Sequence, residues 1–307
     1  MNTTSVLEQW SRDRSDLAAA LAPNTLAIRL GRHRSLSGMR WRGPLAVTAA
    51  EALAGSDEVL VISDGGEQRA PVVACDLATD VAVLRLAAGQ RPSAPMAGEP
   101  TLAAGAGVII VGRSQRSPLV GFGAVRAAGP AWRSRRGGAI AQRLEFEASL
   151  DARFEGALVA DLAGAVQAML VPGPRGSLLG IPAVTVERIV AAVELHGYLP
   201  RPYLGVRLQP LWLDEATRER WQRSAPSVAA VAGVAPDSPA QASGLAAGDL
   251  LEAIDGVAVD DVESFAAQIA ASAPGRLLAL RVRRGGEPHT LQVALAEWRP
   301  PQRPGGN

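Results

Sequence analysis

The sequence predicts a mainly β protein in which an antiparallel barrel or sandwich precedes a small α+β domain. Short β-type runs recur at near-regular spacing through the first two-thirds of the chain. Tight-turn residues such as Ser63-Asp64-Gly65-Gly66 separate them. Beyond residue 202 strand and helix patterns alternate. A chain of 307 residues, of which 48% are hydrophobic, is long enough to fill two such cores.

The first predicted element is an amphipathic helix over 6–22, where apolar residues recur at helical spacing until Pro23. A second helix, 184–196, follows Pro182 and ends at Gly197. Between the two helices we expect ten β-type runs: 25–30, 44–48, 58–63, 70–75, 81–86, 107–111, 121–127, 139–147, 157–160 and 165–171.

Changes in composition divide the chain into five predicted segments. They are an N-terminal helix (1–24), the barrel (25–197), a linker (198–202), the α+β domain (203–298) and a tail (299–307). The linker holds Pro200 and Pro202 and should be semi-rigid. The tail is too rich in Pro and Gly to pack, so we expect it to be disordered.

Composition excludes several classes of function. With 31 basic and 30 acidic residues, there is no general electrostatic attraction to nucleic acid or to an anionic membrane. Cys75 is the only cysteine, which leaves no disulfide or Cys-based metal site, and it should be a small buried apolar residue. Neither a signal peptide nor a transmembrane stretch is visible, so we expect a cytoplasmic protein, or a periplasmic one if the true N-terminus is longer.

The α+β domain carries an ordered series of motifs: Tyr203-Leu204-Gly205-Val206, then Ala235-Pro236-Asp237-Ser238-Pro239-Ala240, Gly248-Asp249-Leu250-Leu251 and Ile254-Asp255-Gly256. In this order they resemble the PDZ domain of HtrA/Deg proteases. The resemblance implies that Tyr203, Leu204, Gly205 and Val206 bind the carboxyl end of a peptide, which adds to the sheet edge. A helix over 262–271 would form the other wall of the groove. The tight-turn aspartates Asp237, Asp249 and Asp255 should be structural.

The preceding segment resembles the trypsin-like domain of the same family, which is a double β-barrel. The motifs are Ser37-Gly38, Ser63-Asp64-Gly65, Thr79-Asp80-Val81-Ala82-Val83-Leu84, Val108–Gly112 and Gly180-Ile181-Pro182, in the family's order. The match covers most of residues 20–200.

The resemblance assigns the catalytic positions, and two of the three triad residues are changed. Asp80 keeps the carboxylate, but Glu51 stands where the family has histidine and Glu155 where it has serine. Arg153 replaces the oxyanion-loop glycine. Because this chemistry needs a hydroxyl nucleophile and an imidazole base, we expect no functional catalytic residue, and no cofactor. The histidines His33, His196 and His289 lie off the segment that should present the base, and Ser149 would need a remodelled loop.

If the fold is kept, Glu51, Asp80 and Glu155 should share one cleft, with raised pKa values unless a cation compensates. Arg153 is the expected neutralising group. Three readings stay open: the carboxylates point to solvent, they bind a hard cation such as Ca²⁺ or Mg²⁺, or a pair of them works as an acid/base hydrolase.

The sequence therefore favours a non-catalytic HtrA-like protein of bacterial type that binds C-terminal or extended peptides as a scaffold or regulator in protein quality control. The resemblance also implies a homo-trimer through the N-terminal helix with Trp10, or co-assembly with an active paralogue. Two alternatives remain: an active HtrA-type serine endopeptidase with an unrecognised site, and a purely structural subunit of an assembly.

Overall fold

The computed structural model describes residues 5–31, 34–87, 95–98 and 101–298. The chain divides into two compact units, the first comprising residues 1–132 and 139–199 and the second residues 133–138 and 200–307. The mainly β architecture predicted from the sequence is confirmed. The predicted tail, 299–307, and His33 lie outside the described residues.

The first unit begins with helix α1, Val6–Leu21. Ser5 starts it through a capping box, in which its hydroxyl accepts the Glu8 N–H and the Glu8 side chain accepts the Ser5 N–H. Leu21 is the buried end of the helix, whereas Val6, Leu7 and Trp10 are exposed at 84%, 76% and 56%. The helix therefore presents an uncovered apolar surface near its start.

Six strands form the first barrel: β1 (Thr25–Arg29), β2 (Ser35–Arg42), β3 (Leu45–Thr48), β4 (Glu58–Ser63), β5 (Gly66–Asp76) and β6 (Val81–Arg85). They close in the order β1-β2-β3-β6-β5-β4, with every pair antiparallel. Side chains that alternate into the barrel, such as Leu26, Ile28 and Leu84, fill its interior.

The next strands are β7 (Gly107–Arg113), β8 (Pro118–Gly129), β9 (Trp132–Arg133), β10 (Ala139–Ile140), β11 (Arg143–Glu147), β12 (Leu158–Asp161), β13 (Val166–Pro172) and β14 (Leu178–Pro182). Six of them close a second barrel in the order β11-β14-β13-β12-β7-β8. Helix α2, Ala183–His196, follows β14 and ends at Gly197, whose φ of +79° suits a left-handed C-cap. Apolar residues of both barrels and of α2 form a third core between them, including Met39, Val47, Ile109 and Val190.

The second unit contains a sheet and three helices around its own core. Its elements are β15 (Arg201–Tyr203), β16 (Val206–Trp212), α3 (Glu215–Arg220), β17 (Ser227–Val234), α4 (Pro239–Ala242), β18 (Leu250–Ile254), β19 (Val257–Ala258), α5 (Val262–Ala270), β20 (Leu277–Arg284), β21 (Glu287–Ala294) and β22 (Ala296–Trp298). The main sheet runs β16-β17-β18-β20-β21, with β19 paired to β18, while β15 pairs with β22.

The structure differs from the sequence prediction in several places. Strands β2, β9 and β14 were not among the predicted runs, and the predicted run 139–147 is divided into β10 and β11. Strand β2 begins with serines and a glycine, and β14 is interrupted by Gly180. The predicted linker already contains strand β15. Cys75 is only partly buried, and its sulfur lies 3.6 Å from the Ala50 carbonyl oxygen.

Candidate functional site

Asp80 lies in the turn between β5 and β6, where a left-handed backbone with φ of +58° directs its side chain back toward β3. Its Oδ1 accepts the N–H groups of Ala50 and Glu51, each at 2.8 Å. These two N–H groups begin the short 3₁₀ turn Glu51–Leu53. Asp80 therefore holds in place the segment that carries Glu51.

Burial raises the pKa of Asp80 from its usual 3.8 to about 6, although the two backbone hydrogen bonds oppose this shift. The negative charges of Glu51 and Glu155 raise the pKa further. The structure thus brings the three carboxylates together, and we call Glu51, Asp80 and Glu155 the carboxylate cluster.

Glu155 follows the 3₁₀ turn Ala152–Phe154 and is half-buried. Burial raises its pKa, Arg34 lowers it and Glu51 raises it. Arg153 does not play the neutralising part expected from the sequence. Its exposed guanidinium pairs with Asp151, with nitrogen–oxygen distances of 2.6 and 2.9 Å, and the cation that acts on Glu155 is Arg34.

The backbone N–H groups around Glu155 donate within their own turn. The Arg153 N–H donates to Asp151 Oδ1 at 2.9 Å. The Phe154 and Glu155 N–H groups donate to the carbonyl oxygens of Asp151 and Ala152, at 3.1 and 3.3 Å. An oxyanion hole needs N–H groups aimed at a developing negative charge on the substrate. Here these groups are aimed at the chain itself.

Ser37 on β2 fastens the same turn to the first barrel. Its hydroxyl donates to the Arg153 carbonyl oxygen at 2.6 Å and accepts the Arg113 N–H at 3.0 Å. Its backbone N–H donates to the Glu155 carbonyl oxygen at 2.8 Å. Gly156 has a φ of +80°, and a Cβ there would collide with the Ser37 carbonyl oxygen. The turn is therefore tightly packed between the two barrels.

The three carboxylates do not form the cation site that the sequence raised. No three His, Cys, Asp or Glu side chains among the described residues are arranged to hold a metal ion. His196 and His289 are both exposed, one at the end of α2 and one on β21. Ser149 is exposed in the segment after β11.

The second candidate site lies in the turn before β16. Gly205 has a φ of +85°, and a Cβ there would collide with Ser238. The Gly205 carbonyl oxygen accepts the Ala235 N–H at 2.8 Å, and the Leu204 carbonyl oxygen accepts the Ala240 N–H at 3.0 Å. Leu204 is buried in the core of the unit. The buried Leu204 side chain and the two hydrogen bonds to backbone carbonyl oxygens thus fix the conformation of the turn that is predicted to bind peptide.

Strand β16 is at the edge of the sheet, since among the described residues it pairs with β17 alone. Val206 and Leu208 pack against the same core as Phe265 and Ile269 of α5. Strand and helix therefore share an apolar floor beside an open strand edge, which is the arrangement that an added peptide strand requires.

Comparison with known families matches both units. Residues 36–169 match the trypsin-like peptidase domain and residues 202–295 match the PDZ domain. In sequence the chain is similar to DegP-like serine endoproteases. Its double barrel is a trypsin-like fold, and the sheet with α5 is a PDZ domain, as the sequence predicted.

Curated relatives are similar to most of this chain at low identity. A probable periplasmic serine endoprotease, DegP-like, of Halomonas elongata is 28% identical over 272 residues, which are 85% of this chain and 56% of the relative. The protein so named in Brucella suis is 29% identical over 79% of this chain and 48% of its own length. The HtrA/DegP-like chain therefore spans about half the length of these relatives.

Solved structures agree on the fold. The HtrA-type protease AlgW with a decapeptide superposes with a TM-score of 0.63 at 21% identity, covering 94% of this chain and 99% of that chain. The serine endoprotease from Yersinia pestis superposes with a TM-score of 0.62 at 21% identity, covering 93% and 98%. At these identities the likeness establishes the fold of the HtrA/DegP-like chain alone.

Sequence reasoning missed Asp151, Arg34 and Ser37 in this HtrA/DegP-like chain. Asp151 had a usable signal, because an aspartate directly before a short turn commonly accepts the N–H two residues on. Arg34 acts on Glu155 and Ser37 bonds to Arg153 from more than a hundred residues away in sequence, and no local pattern marks either one.

Proposed function

We propose that this HtrA/DegP-like chain is a non-catalytic peptide-binding scaffold or regulator in protein quality control, which works through its PDZ domain. One observation carries the proposal. The resemblance assigns the nucleophile position to Glu155, and in the structure the N–H groups of Arg153 and Glu155 are bound within the Ala152–Phe154 turn. The site thus offers a carboxylate and no free amides where acyl transfer needs a hydroxyl and an oxyanion hole.

The remaining members of the cluster support the same conclusion. Asp80 has no imidazole to orient at position 51, because the residue whose backbone N–H its Oδ1 accepts there is a glutamate, Glu51. The resemblance assigns the general-base position to Glu51, and with Glu155 assigned to the nucleophile position there is no hydroxyl there for a base to deprotonate. In this proposal the trypsin-like unit has a structural role and does not catalyse peptide hydrolysis.

Two assays on the full chain test the proposal. Purified protein is incubated with casein, and separately with a fluorophosphonate probe that labels activated serines. We expect neither cleavage nor labelling, together with binding of peptides that have a free C-terminus. The matched control for the probe is Ser149→Ala, since Ser149 is exposed close to the turn. Probe labelling that disappears in Ser149→Ala would overturn the proposal.

An active serine endopeptidase is the second candidate, because the curated relatives are named as probable serine endoproteases. It predicts casein cleavage, which is lost in Ser149→Ala if Ser149 is the nucleophile and survives both Ser149→Ala and Glu155→Ala if the serine lies elsewhere. A purely structural subunit would be inert in the casein assay and would also fail to bind peptide. The three candidates therefore give three different pairs of results.

The proposed assembly is a homo-trimer, or a mixed assembly with an active paralogue, formed through α1. Its support in the structure is the exposed apolar surface of Val6, Leu7 and Trp10. A monomeric mass for the purified chain, alone and mixed with an active paralogue, would remove this part of the proposal.

A further inference from the structure

We propose that the peptide groove of the PDZ domain extends along β16 to Trp212, which selects an apolar or aromatic residue about six positions before the C-terminus of the ligand. The inference rests on the proposed function, because it assumes that a peptide adds to the edge of β16. It assigns a ligand-selecting role to a residue beyond the turn at Gly205.

The hydrogen bonds of β17 show which backbone groups of β16 face the open edge. Val231 donates to Asp249 and accepts from Gly248, so its backbone groups point to the β18 side of β17. Leu208 is the register partner of Val231. In an antiparallel ladder such a residue forms a non-hydrogen-bonded pair, so its own N–H and C=O point away from the partner strand. The Leu208 N–H and C=O therefore face the open edge.

The same alternation places Val206 at the open edge. The Gly205 carbonyl oxygen accepts the Ala235 N–H, so the next residue, Val206, directs its backbone groups the other way. Val206 and Leu208 thus offer two complete N–H and C=O sets to an added strand. A peptide antiparallel to β16 would end at the Gly205 turn.

Pro210 continues the series on the same edge, since it lies two residues beyond Leu208 and pairs with Ala229. A proline has no N–H, and its place on an open edge costs β16 no ladder bond to β17. An added peptide meets only a carbonyl group here. Main-chain recognition is therefore strong at Val206 and Leu208 and weaker at Pro210, so further affinity has to come from side chains.

Trp212 supplies such a side chain. In a strand, residues two apart share a face, which puts Trp212 on the groove side with Val206, Leu208 and Pro210. It is 72% exposed, so its own chain leaves most of the indole uncovered. Leu211, 41% exposed, lies on the opposite face. An exposed indole in line with a peptide groove fits an apolar or aromatic ligand residue, which it can stack against.

The spacing gives the ligand position. Directly opposed residues of an antiparallel pair share a face, and Trp212 is six residues beyond Val206. If the last residue of the peptide lies opposite Val206, the residue opposite Trp212 is the seventh from the C-terminus. Shorter peptides do not reach the indole.

The experiment uses the full chain and immobilised decapeptide libraries with free C-termini. The last four positions are degenerate, and a single tryptophan is moved from the fifth to the eighth position from the end in a Gly/Ser background. We expect binding to peak with tryptophan at the seventh position, about three- to tenfold above a serine there, in line with the worth of one aromatic pair. A tetrapeptide library with the same degenerate end should bind without this preference.

Trp212→Ala should remove the peak and leave tetrapeptide binding unchanged, whereas Leu211→Ala, on the opposite face of the same strand, should leave both unchanged. A peak that persists in Trp212→Ala, or no dependence on the position of the tryptophan, overturns the inference while the proposed function stands. Failure of every library to bind contradicts the proposed function itself. A change in oligomeric mass in Trp212→Ala with unchanged peptide binding would make the indole a subunit contact instead.

Discussion

Asp80 is a largely buried carboxylate, and burial, with a smaller contribution from the charges of Glu51 and Glu155, makes its ionised form costly in the folded protein. Its pKa is higher in the folded protein than the usual 3.8, at about 6, so the folded state binds the proton more tightly. The free energy of unfolding should therefore fall as pH rises from about 4 to about 6 and stay lowered above that range.

Asp80→Asn keeps an oxygen for the Ala50 and Glu51 N–H groups and removes the charge. Asparagine also tolerates the positive φ of this position. At pH 8 we expect the variant to be more stable than the parent by ~1–3 kcal/mol, and at pH 4 the gain should vanish. Urea unfolding at both pH values measures it.

Asp76→Asn is the matched control, because Asp76 accepts the Ala78 N–H and the Thr79 hydroxyl in the same turn. We expect it to lose stability slightly at pH 8. If the Asp80→Asn variant is less stable than its parent at pH 8, the charge of Asp80 does not destabilise the folded protein.

Gly156 is a second residue whose position constrains stability, because both its backbone conformation and its surroundings require a glycine. It combines a φ of +80° with the close approach of the Ser37 carbonyl oxygen. We expect Gly156→Ala to lower the free energy of unfolding by ~2–4 kcal/mol. Gly55→Ala, with a similar φ of +82° and nothing within 4 Å, should cost only about 1 kcal/mol. Equal losses in the two variants would mean that the turn can move away from β2.

At the scale of elements, β16 is a strand with two different edges. Leu208→Pro removes an N–H from the open edge, so peptide affinity should fall at least tenfold while the domain stays folded. The backbone N–H and C=O of the neighbouring Gln209 face β17. Gln209→Pro should therefore lower the free energy of unfolding by about 3 kcal/mol. Circular dichroism melting and peptide binding by fluorescence anisotropy separate the two effects. If Leu208→Pro binds as well as the parent, peptides do not add to this edge.

The elements also differ in how well a local sequence pattern predicts them. Helix α2 and most barrel strands could be predicted, because an apolar period and a turn residue define each one locally. Strand β2 could not. The serines and the glycine in its first half leave that half without an apolar alternation, and Arg42 pairs with Glu187 and Glu194 on α2, about 150 residues later. The conformation of the Ala152–Phe154 turn depends in the same way on Ser37, far away in sequence.

At the scale of the whole molecule, the order and type of the two domains followed from many weak motifs that agree with one another. The identity of Glu51, Asp80 and Glu155 as neighbours could also be predicted from that order. The direction of each side chain could not, since Arg153 pairs with Asp151 rather than with the cluster. The choice of partner for a charged side chain depends on small differences in atomic position, which a sequence motif does not specify.

The proposed assembly through α1 is tested by the mass of the particle in solution. Trp10→Asp places a charge within the exposed apolar surface of α1, so a trimer formed through it should dissociate. Leu195→Asp is the control, because Leu195 is 78% exposed on α2. Light scattering should show a reduced mass for the first variant only. A mass that is unchanged in Trp10→Asp would place any interface elsewhere.

The Ala152–Phe154 turn bears finally on whether catalysis could be regained. Installing a histidine at Glu51 and a serine at Glu155 restores two functional groups, but the Arg153 and Glu155 N–H groups stay bound in the turn, and Ser37 still fastens that turn to β2. If the proposed non-catalytic role holds, these two substitutions alone should therefore not produce peptidase activity, because the bound N–H groups of the turn are not free to serve as an oxyanion hole. A hydrolase built on this body would first have to unwind a turn whose bonds help to join the two barrels.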